Sequence, residues 1–124
     1  MASRREEHQE SAKLRIMRLL SETPEISTRR LAEIVGISNG SAYYVLRALI
    51  DKGFVKLESF NNSPSKKQYA YLLTPTGIRE KSILTRRFIE RKRAEFYELQ
   101  IEINILEEEL RTGKPSSKLT EKQI

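Results

Sequence analysis

The run from Thr76 to Thr112 limits how this chain can fold more than any other feature, because it holds no proline and only one early glycine, Gly77. Such a stretch reads as one long helix. Thr74 stands as its N-cap, Pro75 takes the first helical position where a missing N–H costs nothing, and Gly113 with Pro115 marks its end. At 1.5 Å per residue it reaches roughly 55 Å. A chain of 124 residues, 38% of them hydrophobic, builds too small a core to bury so long a rod. Phe96, Leu99, Ile103, Leu106 and Leu110 follow one another at spacings of 3, 4, 3 and 4, with Ile89 one heptad before Phe96. This is a coiled-coil stripe, and it assigns dimerisation to Ile89, Phe96, Leu99, Ile103, Leu106 and Leu110. Tyr97, Ile101 and Ile105 form a second stripe at i, i+4 and i+8. Apolar residues on two sides call for partners, which self-association into a homodimer supplies most simply.

Upstream, residues 1–11 are polar and read as a flexible leader. Leu14, Ile16, Met17, Leu19 and Leu20 then define an amphipathic helix that stops before Pro24. Ser27 is placed to cap a short second helix carrying Leu31, Ala32, Ile34 and Val35, and Gly36 ends it in a position suited to a left-handed residue. Ser38 caps a third helix, in which Ala42, Val45, Leu46, Leu49 and Ile50 fall on one face. Gly53 closes that helix. "FVKLESF" and "QYAYLL" follow as β-prone runs around "NNSPSKK", a turn-forming segment with a basic end. The organisation expected is a leader over 1–11, a small helix-rich head over 12–74, a long helix over 75–112 and a loose tail over 113–124, with no internal repeat.

Charge is unevenly placed. The chain has 23 Lys and Arg against 17 Asp and Glu, a formal charge of +6. Residues 61–93 alone hold nine basic and two acidic side chains, a net of +7, so the remainder nearly cancels. The block fits a polyanionic partner. Arg79, Arg86, Arg87, Arg91, Lys92 and Arg93 can be a solvated face, a support for DNA between two heads, or partners for Glu107, Glu108 and Glu109 of another copy.

Two short helices hinged at Gly36-Ile37-Ser38 form a helix-turn-helix, whose second helix lays its N-terminal part in the major groove. On a wheel of 100° per residue, Gly40, Tyr44 and Arg47 oppose the apolar face of the third helix, flanked by Ser41, Tyr43 and Ala48. Asn39, Ser41, Tyr43, Tyr44 and Arg47 are therefore the candidate readers of DNA, Arg47 being suited to guanine. Tyr43, about 100° from the core centre, divides evenly between packing and the groove. The hairpin tip is a soluble turn if taken alone. After a helix-turn-helix it becomes a wing, and Lys66 and Lys67, with Ser27, are assigned to the DNA backbone.

Other functions have little to work with. The chain has no cysteine, and its one histidine, His8, lies in the leader. Neither a catalytic constellation nor a metal set nor a cofactor motif is legible, so a non-enzyme is expected. No run is long and apolar enough for a membrane span and no signal-peptide pattern opens the chain, so a cytoplasmic protein is expected. The competing reading is a winged helix serving as a protein–protein interaction module without specific DNA binding. Such a module would expose apolar residues on its third helix, whereas Ser41, Tyr44, Arg47, Lys66 and Lys67 suit DNA.

The order of helix, helix-turn-helix, wing, "LTPTG" and long helix resembles the MarR family of bacterial winged-helix transcriptional regulators. "PEISTRRLAEIVGISNGSAYYVLRALIDKGFVK" together with "YAYLLTPTGIREKSILTRRFIERK" is similar, more narrowly, to the exopolysaccharide-associated regulators of that family, over about Ala12 to Leu106. The resemblance implies a mainly α fold: a winged helix-turn-helix of three helices plus a two-stranded wing, followed by a dimerisation helix. It further implies a homodimer acting on double-stranded DNA, with control of polysaccharide-cluster genes. Two features depart from the family pattern. The wing tip reads "SPSKKQ" where the family carries Asp-x-Arg, and one long helix follows the wing where the family has several that enclose a small-molecule crevice. An effector ligand is left open.

Overall fold

In the computed structural model, which describes residues 4–63 and 66–115 with the side chains of residues 60–67 outside the description, the element order is α1 (Arg4–Glu22), α2 (Thr28–Val35), α3 (Asn39–Asp51), β1 (Val55–Ser63), β2 (Lys66–Leu73) and α4 (Pro75–Thr112). Mainly helical, with a two-stranded antiparallel sheet, it is the winged architecture expected from the sequence. The chain divides between Arg86 and Arg87 into two compact units.

The first unit is organised around Ile16, Met17, Leu20, Leu31, Leu46 and Leu49, all but inaccessible to solvent. Each such side chain contributes roughly 1.5–3 kcal/mol by leaving water. Of the face read from α3, Ala42, Leu46 and Leu49 are buried while Val45 and Ile50 are half-buried. Ile34 departs from expectation and is exposed. An eight-residue helix buries a single face, here Leu31, Ala32 and Val35, and Ile34 lies about 110° from its centre.

Two further differences have local causes. Helix α1 begins at Arg4, inside the stretch expected as a flexible leader, and places His8 on a helix. "RREEHQES" lacks apolar periodicity, yet it is rich in good helix formers and sets Glu6 and Glu7 in the first turn, where the helix dipole favours acid. The strands also run further into the hairpin than the turn formers suggest, pairing Asn61 with Lys67 and Ser63 with Lys66 across an irregularity between Asn61 and Ser63. A bulge absorbs the extra residue and lets pairing continue.

The motif "LTPTG" is a joint. The Thr74 N–H donates to the Phe54 carbonyl at 3.0 Å, and the Thr74 hydroxyl donates to the Gly53 carbonyl at 2.6 Å. The same hydroxyl oxygen caps α4 by accepting from the Gly77 N–H at 3.0 Å. Gly77 sits against this turn so closely that a Cβ there would lie 2.0 Å from the Phe54 carbonyl oxygen. Lys13 and Glu80, 3.7 Å apart, and the Lys81 ammonium donating to the Ser21 hydroxyl at 3.2 Å tie the start of α4 to α1.

The second unit contains the rest of α4. Ile89, Phe96, Leu99, Ile103, Leu106 and Leu110 are all exposed, as are Tyr97 and Ile101 of the second stripe. Its described surface thus presents the apolar pattern read from the sequence.

Candidate nucleic-acid interface

The turn between α2 and α3 is set by backbone chemistry. Gly36 adopts φ 81°, a left-handed conformation that strains any residue with a Cβ, and its N–H and that of Ile37 both donate to the Ala32 carbonyl. Ser38 then starts α3, its hydroxyl oxygen accepting from the Ser41 N–H at 3.0 Å. The Ser38 O–H donates to the Ser41 hydroxyl at 2.9 Å, so Ser41 is held in the first turn by its neighbour. These bonds orient α3 before any partner arrives.

With Ala42, Leu46 and Leu49 in the core, α3 turns Asn39, Ser41, Tyr43, Tyr44 and Arg47 outward. Tyr43 is 58% and Tyr44 75% exposed, so Tyr43 stands on the solvent side rather than in the packing. Arg47 lies 3.7 Å from Asp51, one turn on, with both side chains exposed. An exposed pair of this kind contributes about 0–1 kcal/mol and exchanges readily for a stronger partner. Tyr44 also borders a groove of about 750 Å³ between the N-terminal half of α1 and α3, shared with His8, Gln9 and Ala48.

A second cluster surrounds the start of α2. Ser27 caps that helix, accepting from the Arg30 N–H at 3.0 Å. The Tyr71 N–H donates to the Pro24 carbonyl at 2.8 Å, fastening the wing strand to the chain just before the cap. Ser27 and Thr28 thereby meet Gln68 and Tyr69 around a groove of about 370 Å³. Tyr69 is exposed beside this groove, and neither it nor Arg29 and Arg30 on α2 was among the residues read from the sequence. Both arginines approach Glu33, at 3.9 and 3.3 Å, and Glu25 lines the same groove, so the charges around this helix start balance. The arginines' signal lies in their place in the first turn after Ser27. Lys66 and Lys67 belong to β2, but their side chains lie outside the described residues.

Three exposed features thus share the first unit: the outer face of α3, the start of α2, and the wing strand beside it. Their chemistry is hydrogen bonding, with arginines that each sit beside a carboxylate. Among the described residues no group of three or more His, Asp or Glu side chains is placed to hold a metal ion, and no helix is long and apolar enough to cross a membrane.

Residues 10–56 match the family model described as winged helix-turn-helix DNA-binding. No curated protein matches the chain. Among solved structures, it is similar to a MarR/EmrR family transcriptional regulator from Acinetobacter sp. ADP1, with 23% identity over 82% of this chain and 72% of that one and a TM-score of 0.57. A PadR-like transcriptional regulator from Bacillus cereus shares 17% identity over 71% of this chain and 90% of its own, with a TM-score of 0.62. A MarR transcriptional regulator from Methanosarcina mazei shares 18% over 83% and 76%, with a TM-score of 0.57. Residues 10–56 are thus similar to winged helix-turn-helix DNA-binding domains, and the chain has the fold seen in MarR- and PadR-type regulators.

Proposed function

We propose that the protein is a sequence-specific DNA-binding transcriptional regulator that works in the cytoplasm as a homodimer. The observation that carries this reading is the outer face of α3: five exposed polar or aromatic side chains on a helix whose inner face is core and whose start is fixed by Ser38. In the groove, Arg47 exchanges Asp51 for a guanine edge, and Asn39, Ser41, Tyr43 and Tyr44 meet neighbouring bases or phosphates. The start of α2 with Ser27, Arg29 and Arg30, and the wing with Lys66, Lys67 and Tyr69, hold the backbone on either side. Two heads joined through α4 favour a near-palindromic operator with half-sites a whole number of turns apart, roughly 10 bp to the turn. The sequence resemblance of residues 12–106 extends the proposal to exopolysaccharide-related genes.

The test is fluorescence anisotropy on DNA from upstream of the protein's own gene against a scrambled duplex, across a salt series. Preferential binding that survives physiological salt is expected. Equal, salt-fragile binding to both would reduce the reading to non-specific attraction. No binding to either, or to the flanking DNA of the neighbouring genes, would favour the protein-interaction module.

Arg47→Ala should weaken the best site by about 1–3 kcal/mol and relax discrimination at one base pair, measured by titrating a panel of single-base variants. A uniform loss on every sequence would make Arg47 a phosphate contact.

A further inference from the structure

We infer that the second unit pairs with a second copy of itself in antiparallel orientation, with Ile89 opposite the partner's Leu106 and Phe96 opposite the partner's Leu99. This rests on the homodimer of the proposed function and adds the direction and register of its seam. Three observations carry it.

The first is the pattern of the seam itself. Ile89, Phe96, Ile103 and Leu110 recur every seven residues, and the alternate seam positions are Lys92, Leu99 and Leu106. Every apolar member is exposed in the single chain, from 44% for Ile89 and Leu106 to 87% for Leu110. A two-stranded seam covers such a stripe.

The second is Lys92, which occupies a seam position. In a parallel, in-register pair it meets the partner's Lys92 inside the apolar layer, placing two ammonium groups together where water is scarce. In the antiparallel register it lies beside the partner's Ile103. There its four-carbon stem packs and its ammonium reaches the rim.

The third is the charge along the helix. Residues 87–93 carry Arg87, Arg91, Lys92 and Arg93 against Glu90, a net of +3, whereas residues 102–109 carry Glu102, Glu107, Glu108 and Glu109 and no base, a net of −4. Lys92 pairs with Glu95 and Arg111 with Glu108 just outside these blocks; counting both partners lowers the nets to +2 and −3 and leaves their signs opposite. Parallel pairing sets each block against its like. The antiparallel register lays residues 87–93 along the partner's 102–109, and two-fold symmetry repeats the match at the other end. Glu95 then falls beside the partner's Glu102, but at the solvated rim, where like charges cost least. Sliding the register by one heptad, so that Phe96 faces the partner's Leu106, brings the basic block against residues beyond 108 and loses the match.

The absence of cysteine allows a direct test. Full-length Ile89→Cys and Leu106→Cys proteins are prepared separately, checked for helicity by circular dichroism, and oxidised alone and after mixing with subunit exchange. About tenfold more disulfide-linked dimer is expected in the mixture than in either protein alone, since only opposed seam positions bring two Cβ atoms within bonding distance. Efficient self-linking of either single variant would overturn the orientation while leaving the homodimer standing. Light scattering on the unsubstituted chain separates the two claims: a monomer at tens of micromolar would overturn the homodimer and the register together, and a dimer without links in any mixture would overturn the seam alone.

Discussion

Gly77→Ala should destabilise the first unit, although the same change at an open helix position stabilises. Alanine is about 1 kcal/mol better than glycine inside a helix, so propensity alone raises the melting temperature. The added Cβ, however, falls 2.0 Å from the Phe54 carbonyl oxygen and 2.9 Å from its carbon. Both are backbone atoms, and neither can swing aside as a side-chain tip would. That carbonyl also accepts from the Thr74 N–H, and Gly53 next to it holds the Thr74 hydroxyl, so relief at Gly77 disturbs the cap of α4 and the end of α3 together. Overpacking of this kind costs typically 1–3 kcal/mol. With a loss of that order outweighing the propensity gain, thermal unfolding should begin several degrees lower, at about 4–8 °C per kcal/mol for a domain of this size. Gly77→Val should be worse. A raised melting temperature for the alanine variant would show that the helix start has room to shift, and that the close approach is not a constraint on folding.

Gly77 also illustrates where sequence reading stops. Thr74 as a cap and Pro75 at the first helical position are local chemistry, legible because the bonds they make or avoid lie within one turn. Ser27, Gly36 and Ser38 were legible for the same reason, and the buried face of α3 because its spacing follows the helix period. The role of Gly77 depends instead on Phe54, 23 residues away, and no local pattern announces that contact. The meeting of Ser27 with Tyr69 is similar: it follows from a hydrogen bond between Tyr71 and Pro24, which nothing in either segment encodes by itself. Helix α1 outran its apolar stripe because charged residues with high helix propensity carry no period. On the outer face of α3, the wheel places Tyr44 and Arg47 outside, as they are, while its angular coarseness divides Tyr43, which proves exposed. The arginines beside Ser27 are not legible as a feature because two charges on a short helix do not make a block.

Replacing Leu99 and Leu106 together by glutamate should turn the protein into a monomer and remove most of its DNA affinity without touching the DNA-facing residues. Both leucines are exposed in the single chain, so the substitutions leave the first unit's core intact. In a dimer they lie at the seam, where four new carboxylates would lose water with no added cation to meet them, at a cost of several kcal/mol each. Two heads on one palindrome bind as a linked pair, and separation forfeits the effective concentration that linkage provides. The expected loss is about 10²–10⁴ in affinity on a two-half-site operator, with little change on an isolated half-site. Sedimentation or light scattering reads the first effect and anisotropy on the two DNAs reads the second. Helicity measured by circular dichroism should fall as well, since Phe96, Leu99, Ile103 and Leu110 are exposed in the single chain and isolated helical segments are marginal in water. A dimer that persists would move the interface to the stripe of Tyr97, Ile101 and Ile105 or to the first unit. Monomers that still bind the full operator tightly would show that one head suffices, and would remove the reason to expect a palindrome.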